Sequence, residues 1–235
     1  MKVLIILISK ILEINHLKYC KTTYEKMFLP LINDGVFVDI AIIYSEKDIN
    51  SEKLYEKLFG NIKYKYLSPN LQFNKMCDFL NQLNERYDWY IKSRPEMEML
   101  ENFDLKKLEQ CFSNSINSRL YKLNLKNSNI DKKSIINNTY NLIELYNDIL
   151  NNKIELGIDD QIYIFDDKVR DIAFKKIDKE ELYNLNLNNR EREDEVFHTL
   201  MFINRNIKLQ TINIKANMLK YVEIDGNPGI WKPRI

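Results

Sequence analysis

Val3-Leu4-Ile5-Ile6-Leu7-Ile8 is an unbroken apolar run rich in β-branched side chains. Such a run, short and without polar alternation, reads as a strand buried on both faces, the pattern of a parallel sheet covered by helices. The residues that follow supply its partners. Positions 19–32 carry Cys20, Tyr24, Met27, Phe28 and Leu31 at helical spacing, and Asp34-Gly35 ends that helix. VFVDIAIIY, at 36–44, is a second strand. Positions 51–59 repeat the helical period through Leu54, Leu58 and Phe59 and stop at Gly60-Asn61, and 62–67 alternate as a weaker third strand. Ser68-Pro69-Asn70 opens a helix predicted over 71–87, whose Phe73, Met76, Cys77, Leu80 and Leu83 follow the 3.6-residue period. A fourth strand over 88–93 ends at Arg94-Pro95. Residues 1–95 thus read β-α-β-α-β-α-β. The expected class is α/β, with a mostly parallel central sheet flanked by helices and right-handed crossovers.

Composition fits one domain. The chain has 235 residues, 45% hydrophobic and 29% charged, enough to bury a core. Its 35 basic and 34 acidic residues are interspersed and leave a net charge of +1. No broad basic face is expected, and so no nucleic-acid partner. Cys20, Cys77 and Cys111 are odd in number and lack a CxxC spacing, which argues against a disulfide framework or a zinc site and for a reducing compartment. The first apolar run is too short for a signal peptide and Lys10 interrupts it. No stretch approaches the roughly 20 apolar residues of a membrane span. A soluble, cytoplasmic protein is the expectation.

The second half is less regular. Helices are predicted over 105–111, 134–151, 167–177 and 191–204, and strands over 114–125, 161–165 and 208–214. No linker composition and no repeat divides the chain, so a single domain over 1–235 is expected.

Ligands of open α/β sheets bind beyond the carboxyl ends of the strands. That rule points to Ser9-Lys10, to Tyr44-Ser45 and above all to Arg94-Pro95-Glu96-Met97-Glu98. Glu96 and Glu98 at a strand end can hold a hard divalent cation that also grips phosphate, or they are solvated charges of a surface turn. Arg94 can fork onto phosphate or carboxylate. Asp159 and Asp160, ahead of the strand predicted at 161–165, are turn residues or ligand contacts, and Asp167 caps the following helix. Glu193, Asp194 and Glu195 suit a first helical turn through the macrodipole alone. One of them can equally act as a general base, with His198 one turn beyond Asp194. The tail, Gly226-Asn227-Pro228-Gly229-Ile230-Trp231-Lys232-Pro233, concentrates glycine and proline that the chain otherwise lacks. It either approaches a ligand closely and offers Lys232 to phosphate, or is pinned to the body by Trp231.

Tyr87-Asp88-Trp89-Tyr90-Ile91-Lys92-Ser93-Arg94-Pro95-Glu96 resembles the D-W-x-I-K-x-R-P-D strand of glycosyltransferases from bacteria and large DNA viruses. Lys2 to Ser9 is similar to their first strand, Asp159-Asp160-Gln161 to their D-Q segment, and 193–206 to their acceptor-side helix. The resemblance implies a GT-A fold, with 1–95 as the nucleotide-binding half and 96–235 as the acceptor-side half and tail. It implies transfer of a sugar from a nucleotide-diphosphate sugar to a glycan or other hydroxyl acceptor. In that family a D-x-D motif holds manganese or magnesium against the diphosphate; Glu96-Met97-Glu98 stands in its place here. Gly229-Ile230-Trp231-Lys232-Pro233 looks like the G-x-x-K-P-W ending of the glycogenin-like branch, in which lysine contacts the diphosphate. Carried over residue by residue, Ser9, Lys10 and Tyr44 would receive the nucleoside, and Arg94 and Lys232 the diphosphate. Glu96 and Glu98 would hold the metal. Asp160 would face sugar hydroxyls, and Asp194 or Glu193 would be the base. If the source is viral, the compartment is the host cytoplasm. Two other readings remain: a catalytically silent relative that binds a glycan or protein, favoured by E-x-E in place of D-x-D, and a nucleotidyltransferase, disfavoured because Ser9-Lys10-Ile11-Leu12 is not a Gly-rich basic loop.

Overall fold

Lys2–Ile8 is strand β1, and its side chains alternate between two cores. Leu4, Ile6 and Ile8 enter one apolar cluster, Val3, Ile5 and Leu7 the other, and none is more than 1% exposed. Successive strand residues face opposite sides of a sheet, so both faces here are covered. Each such side chain stabilises the fold by about 1.5–3 kcal/mol.

The computed structural model describes residues 1–9, 17–45, 49–60, 62–95, 97–137, 139–185, 195–224 and 227–233. After β1 comes a helix in three sections: α1 (Leu17–Thr23), a π-helical turn (Tyr24–Phe28) and α2 (Leu29–Asn33). Then follow β2 (Phe37–Tyr44), α3 (Ile49–Phe59), β3 (Tyr64–Leu67), α4 (Gln72–Gln82) and β4 (Trp89–Ser93). The next elements are β5 (Met97–Met99), α5 (Leu105–Glu109), β6 (Ser115–Leu125), α6 (Lys132–Ile136), α7 (Leu142–Leu150) and β7 (Ile154–Asp166). The chain closes with α8 (Asp167–Ala173), α9 (Lys179–Asn184), α10 (Glu195–Asn204), β8 (Lys208–Thr211), β9 (Ala216–Ile224) and β10 (Asn227–Pro233).

The main sheet has the order β3-β2-β1-β4-β7-β6-β8. β1 pairs in parallel with both β2 and β4, β2 with β3, and β6 with β8, while β7 runs antiparallel to both its neighbours. The sheet is therefore mostly parallel, as expected, with helices on both sides. Residues of α4, α7, α8 and α10 fill one core; α1, α3 and α5 contribute to the other. A second, antiparallel sheet joins β10, β9 and β5.

Several boundaries move for identifiable reasons. The helix predicted over 71–87 ends at Gln82, because Leu83 turns to extended backbone. Leu83 and Tyr87 remain buried at a spacing of four, which imitates a helical period in an irregular segment. The helix predicted over 134–151 is two helices: Asn141 accepts from the Ile143 and Glu144 amides and starts α7 afresh. The strand predicted at 161–165 begins seven residues earlier, at Ile154. Asp159 and Asp160 lie inside it and are not turn residues. Residues 97–99 form a strand, β5, where a surface turn was one of the expectations.

Pro30 explains the break in the first helix. Proline has no N–H to give to the carbonyl four residues back, and that carbonyl, of Lys26, instead accepts the Phe103 amide at 2.6 Å. The helix thereby grips the segment after β4. Cys20 Sγ donates to the Pro95 carbonyl at 3.1 Å, Thr23 Oγ1 to that of Met97 at 3.2 Å and Lys26 Nζ to that of Leu100 at 3.1 Å; the Met99 amide donates to Thr22 Oγ1 at 3.1 Å.

On the other face, Arg205 is buried and forks onto Glu181, with Nε and Nη2 at 2.8 and 2.7 Å from its two oxygens. Its Nη1 donates to the Ala173 carbonyl at 2.8 Å, so one guanidinium joins the ends of α8 and α10 to α9. Replacing Arg205 by Ala removes the forked partner of a buried carboxylate, which keeps Asn204 Nδ2 at 3.3 Å and the Lys175 ammonium at 3.9 Å, and urea unfolding is expected to show a loss of about 3 kcal/mol. A loss below about 1 kcal/mol would show that water reaches Glu181.

Candidate functional site

Strand order reverses beside β1: β2 lies on one side and β4 on the other, and the crevice opens between their carboxyl ends. There the structure has a cleft of about 200 Å3. Ser9 follows β1, Ser45 follows β2, residues 69–71 join β3 to α4, and Arg94 follows β4; all line it, with Gln72 and Lys75 of α4. Lys75 is 4% exposed, and its ammonium donates to the Ser9 carbonyl at 3.0 Å and to Ser45 Oγ at 2.5 Å. A buried ammonium has to be met by oxygen, and here it ties together the ends of the two central strands. Asp78, one turn further along α4, accepts from Ser68 Oγ at 3.1 Å and Asn70 Nδ2 at 2.5 Å, which fixes the loop on the opposite wall.

The acidic stretch of β7 stands at the same edge. Pairing of β4 with β7 stops at Lys92 and Tyr163, while the register with β6 jumps from Ser118↔Tyr163 to Leu120↔Ile158. Residues 159–162 therefore bulge out of the ladder just beyond the end of β4, a means of re-aiming side chains next to a site. All four are buried. Asp159 faces Arg119, whose Nε lies 2.6 Å from Oδ2; burial raises its carboxyl above the ordinary range, and Arg119 opposes that rise. Asp160 accepts from Gln161 Nε2 and, at 3.1 Å, from Gln72 Nε2, a residue of the cleft wall. Beneath them the fully buried Lys92 ammonium donates to the Asp160 carbonyl, and Gln72 Nε2 reaches the same oxygen at 2.8 Å.

α10 docks against this bulge. Gly157 permits the approach: a Cβ there would meet the Glu195 Cβ at 2.6 Å. Thr199 Oγ1 accepts the Ile158 amide at 3.0 Å. His198, one residue before it, is fully buried edge-on to Phe73, and neither ring nitrogen has a hydrogen-bond partner. Burial drives its pKa down to about 3, with nearby Asp160 raising it and Lys92 lowering it. The imidazole is neutral at physiological pH.

Of the residues singled out from sequence, Ser9 and Arg94 meet in the cleft and Asp160 joins them through Gln72. Tyr44 does not line it: its ring lies in the core on the α1 and α3 side and its hydroxyl donates to Glu52, so Ser45 is what the end of β2 presents. Burial, with the Glu52 carboxylate, pushes that phenol well above its ordinary range. Glu98 sits on β5 between the fully buried Met97 and Met99, half-exposed, and accepts from Asn217 Nδ2 at 3.3 Å. Among the described residues no three His, Cys, Asp or Glu side chains gather as a metal cage. The carboxylate of Glu98 nonetheless suits a hard cation, which needs few protein ligands where phosphate oxygens supply the rest. Lys10, Glu96, Glu193 and Asp194 lie outside the described residues, and Lys232 is described only through its backbone on β10, opposite Lys220. Gln72 and Lys75 went unread in the sequence, and Lys92 reads there only as a residue of the fourth strand and its motif. Lys92 did carry a signal, as a charge inside an otherwise apolar strand.

No helix among the described residues is long and apolar enough to cross a membrane. No protein-family model and no curated protein sequence matches the chain. Solved structures do. A galactosyltransferase, LgtC, in complex with donor and acceptor sugar analogs superposes with a TM-score of 0.53 at 10% identity, covering 91% of this chain and 73% of its own. A 4-diphosphocytidyl-2C-methyl-D-erythritol synthase from Anaerococcus prevotii gives 0.50 at 14% identity, covering 91% and 88%. The glycosyltransferase GlyE from Streptococcus pneumoniae gives 0.48 at 9%, and this chain spans 45% of its length. At these identities the likeness is one of fold: the chain has a GT-A-type fold.

The neutral burial of His198 has a pH consequence. An unfolded chain binds a proton at this imidazole below the ordinary value of 6.5, while the folded chain does not until about 3. Stability from this residue is therefore complete above that upper value and is lost as pH falls through the interval. Unfolding free energies from urea titrations across it should fall more steeply for the natural chain than for His198→Phe, by about 1.4 kcal/mol per pH unit. Parallel curves would mean that the folded imidazole takes up its proton as freely as the unfolded one.

Proposed function

We propose that this GT-A-fold chain transfers a sugar from a nucleotide-diphosphate sugar to a hydroxyl acceptor. The observation that carries the reading is the convergence of Ser9, Ser45, Gln72, Lys75 and Arg94 in one cleft at the reversal of strand order, with the Asp159–Gln161 bulge on its border. Ser9 and Ser45, with Lys10, receive the nucleoside. Arg94 and Lys232 offset the negative charge of the nucleoside diphosphate as the bond between its phosphate oxygen and the sugar anomeric carbon breaks. Asp160, aimed by Gln72 and Gln161, hydrogen-bonds the sugar hydroxyls. The acceptor oxygen forms the new bond to the anomeric carbon, and its proton passes to Asp194 or Glu193 if the enzyme inverts. Glu98, with Glu96, would hold a manganese or magnesium ion, which supplies positive charge at the diphosphate.

A second reading is transfer of a nucleotidyl group, favoured by the likeness to a synthase whose named product is a diphosphocytidyl compound. The two separate in a thermal-shift comparison with nucleotide sugars and with nucleoside triphosphates, each with and without manganese. Sugar transfer predicts that a nucleotide sugar near saturation raises the melting temperature by roughly 5 °C and does so better with metal. Glu98→Ala should remove the metal effect and reduce donor hydrolysis about a hundredfold. A response to triphosphates alone would favour the second reading. No response to either class would leave a fold that has kept its cleft without its chemistry.

A further inference from the structure

β3 is an edge strand of the main sheet, and Tyr64 and Tyr66, two positions apart on it, share a face. Both rings pack on Phe79 of α4, with centroids at 5.9 and 5.7 Å. Together with Gln82, Asn84 and Glu85 they bound a groove of about 470 Å3, within the size range of small-molecule sites. It lies toward the amino ends of the strands and shares no lining residue with the cleft.

Charges in the groove are already matched. Lys63 pairs with Asp39 at 2.7 Å and with Glu85 at 2.6 Å; Lys65 pairs with Glu56 and, at 3.8 Å, with Glu52; Glu85 also accepts Lys2. Hydrogen bonds from Lys2, Lys63 and Tyr64 hold the Glu85 carboxyl far below the usual carboxylate range. An ionic ligand would have to break these pairs. What the groove offers is neutral: two half-buried phenol rings, the amides of Gln82 and Asn84, and the Tyr66 hydroxyl, already oriented by Gln82 Nε2 at 2.6 Å. Such a surface suits a molecule with apolar C–H faces to lie on the rings and uncharged hydroxyls to meet the amides, and pyranose rings have both.

We propose that this groove binds a neutral oligosaccharide. The proposal goes beyond the reading of the cleft and stands whether or not the cleft transfers sugar. Saturation-transfer NMR on the full chain with lactose, maltotriose, cellotriose and chitotriose tests it. At least one of these sugars should bind, roughly tenfold more weakly to Tyr66→Ala, which loses a stacked ring. Binding should also weaken in Gln82→Ala, where the substituted side chain is exposed and the fold is not at stake. It should be unchanged in Glu98→Ala, which disables only the proposed donor site. The proposal is overturned if none of these sugars binds, if binding survives both groove substitutions, if Glu98→Ala abolishes it, or if inorganic phosphate or an extended peptide takes their place. Should Tyr66→Ala fail to fold, Gln82→Ala decides.

Discussion

An ammonium sealed from water has to be met by oxygen, and Lys92 is fully buried in the middle of the sheet. Its Nζ donates to the Asp160 carbonyl, in the stretch where β7 leaves its ladder, and lies 5.1 Å from the centre of the Tyr163 ring. The charge on β4 and the bulge in β7 thus meet at one carbonyl. Gln72 reaches the same carbonyl and links α4 to the pair, and α10 closes over it by way of Gly157 and Thr199.

The same arrangement joins fold to site. The bulge puts Asp159, Asp160 and Gln161 at the carboxyl edge of β4, where Arg94 leaves the sheet, and Lys75 repeats the device one strand away by tying Ser9 to Ser45. Two buried lysines thus hold three strand ends and the first turn of α4 around one crevice. The Pro30 break adds a further brace, since the helix that it interrupts uses side chains and a freed carbonyl to fasten the segment from Pro95 to Phe103, on which Glu98 lies. The polar groups of the site are tied both to backbone carbonyls and to one another.

Much of the sheet was legible in residues 1–95, because strands buried on both faces are written as unbroken apolar runs such as 3–8, and the helices between them carry a clear period. The carboxyl-edge rule then led to Ser9 and Arg94 without any contact being visible. The bulge was not legible: a strand carrying two adjacent aspartates violates the apolar pattern, so Asp159 and Asp160 read as turn residues or ligand contacts ahead of the strand, and only long-range pairing puts them inside it. The edge rule points to Tyr44 and Ser45 together; alternation in β2 sends the Tyr44 ring into the core, and Ser45 lines the crevice. Lys75 was hidden by helical geometry, because a lysine beside an apolar stripe ordinarily reaches solvent, and nothing local shows that two strand ends wait for it.

The central claim is that the crevice between β1, β2 and β4 is a nucleotide-diphosphate site. A backbone-amide chemical-shift map of the chain, titrated in parallel with UDP, GDP, ADP and CDP, tests it most directly. With at least one of them the largest changes should gather at Ser9, Ser45, Lys75 and Arg94 and extend to the bulge at 159–161. Silence with all of them, or changes gathered elsewhere while those amides stay still, would contradict the account.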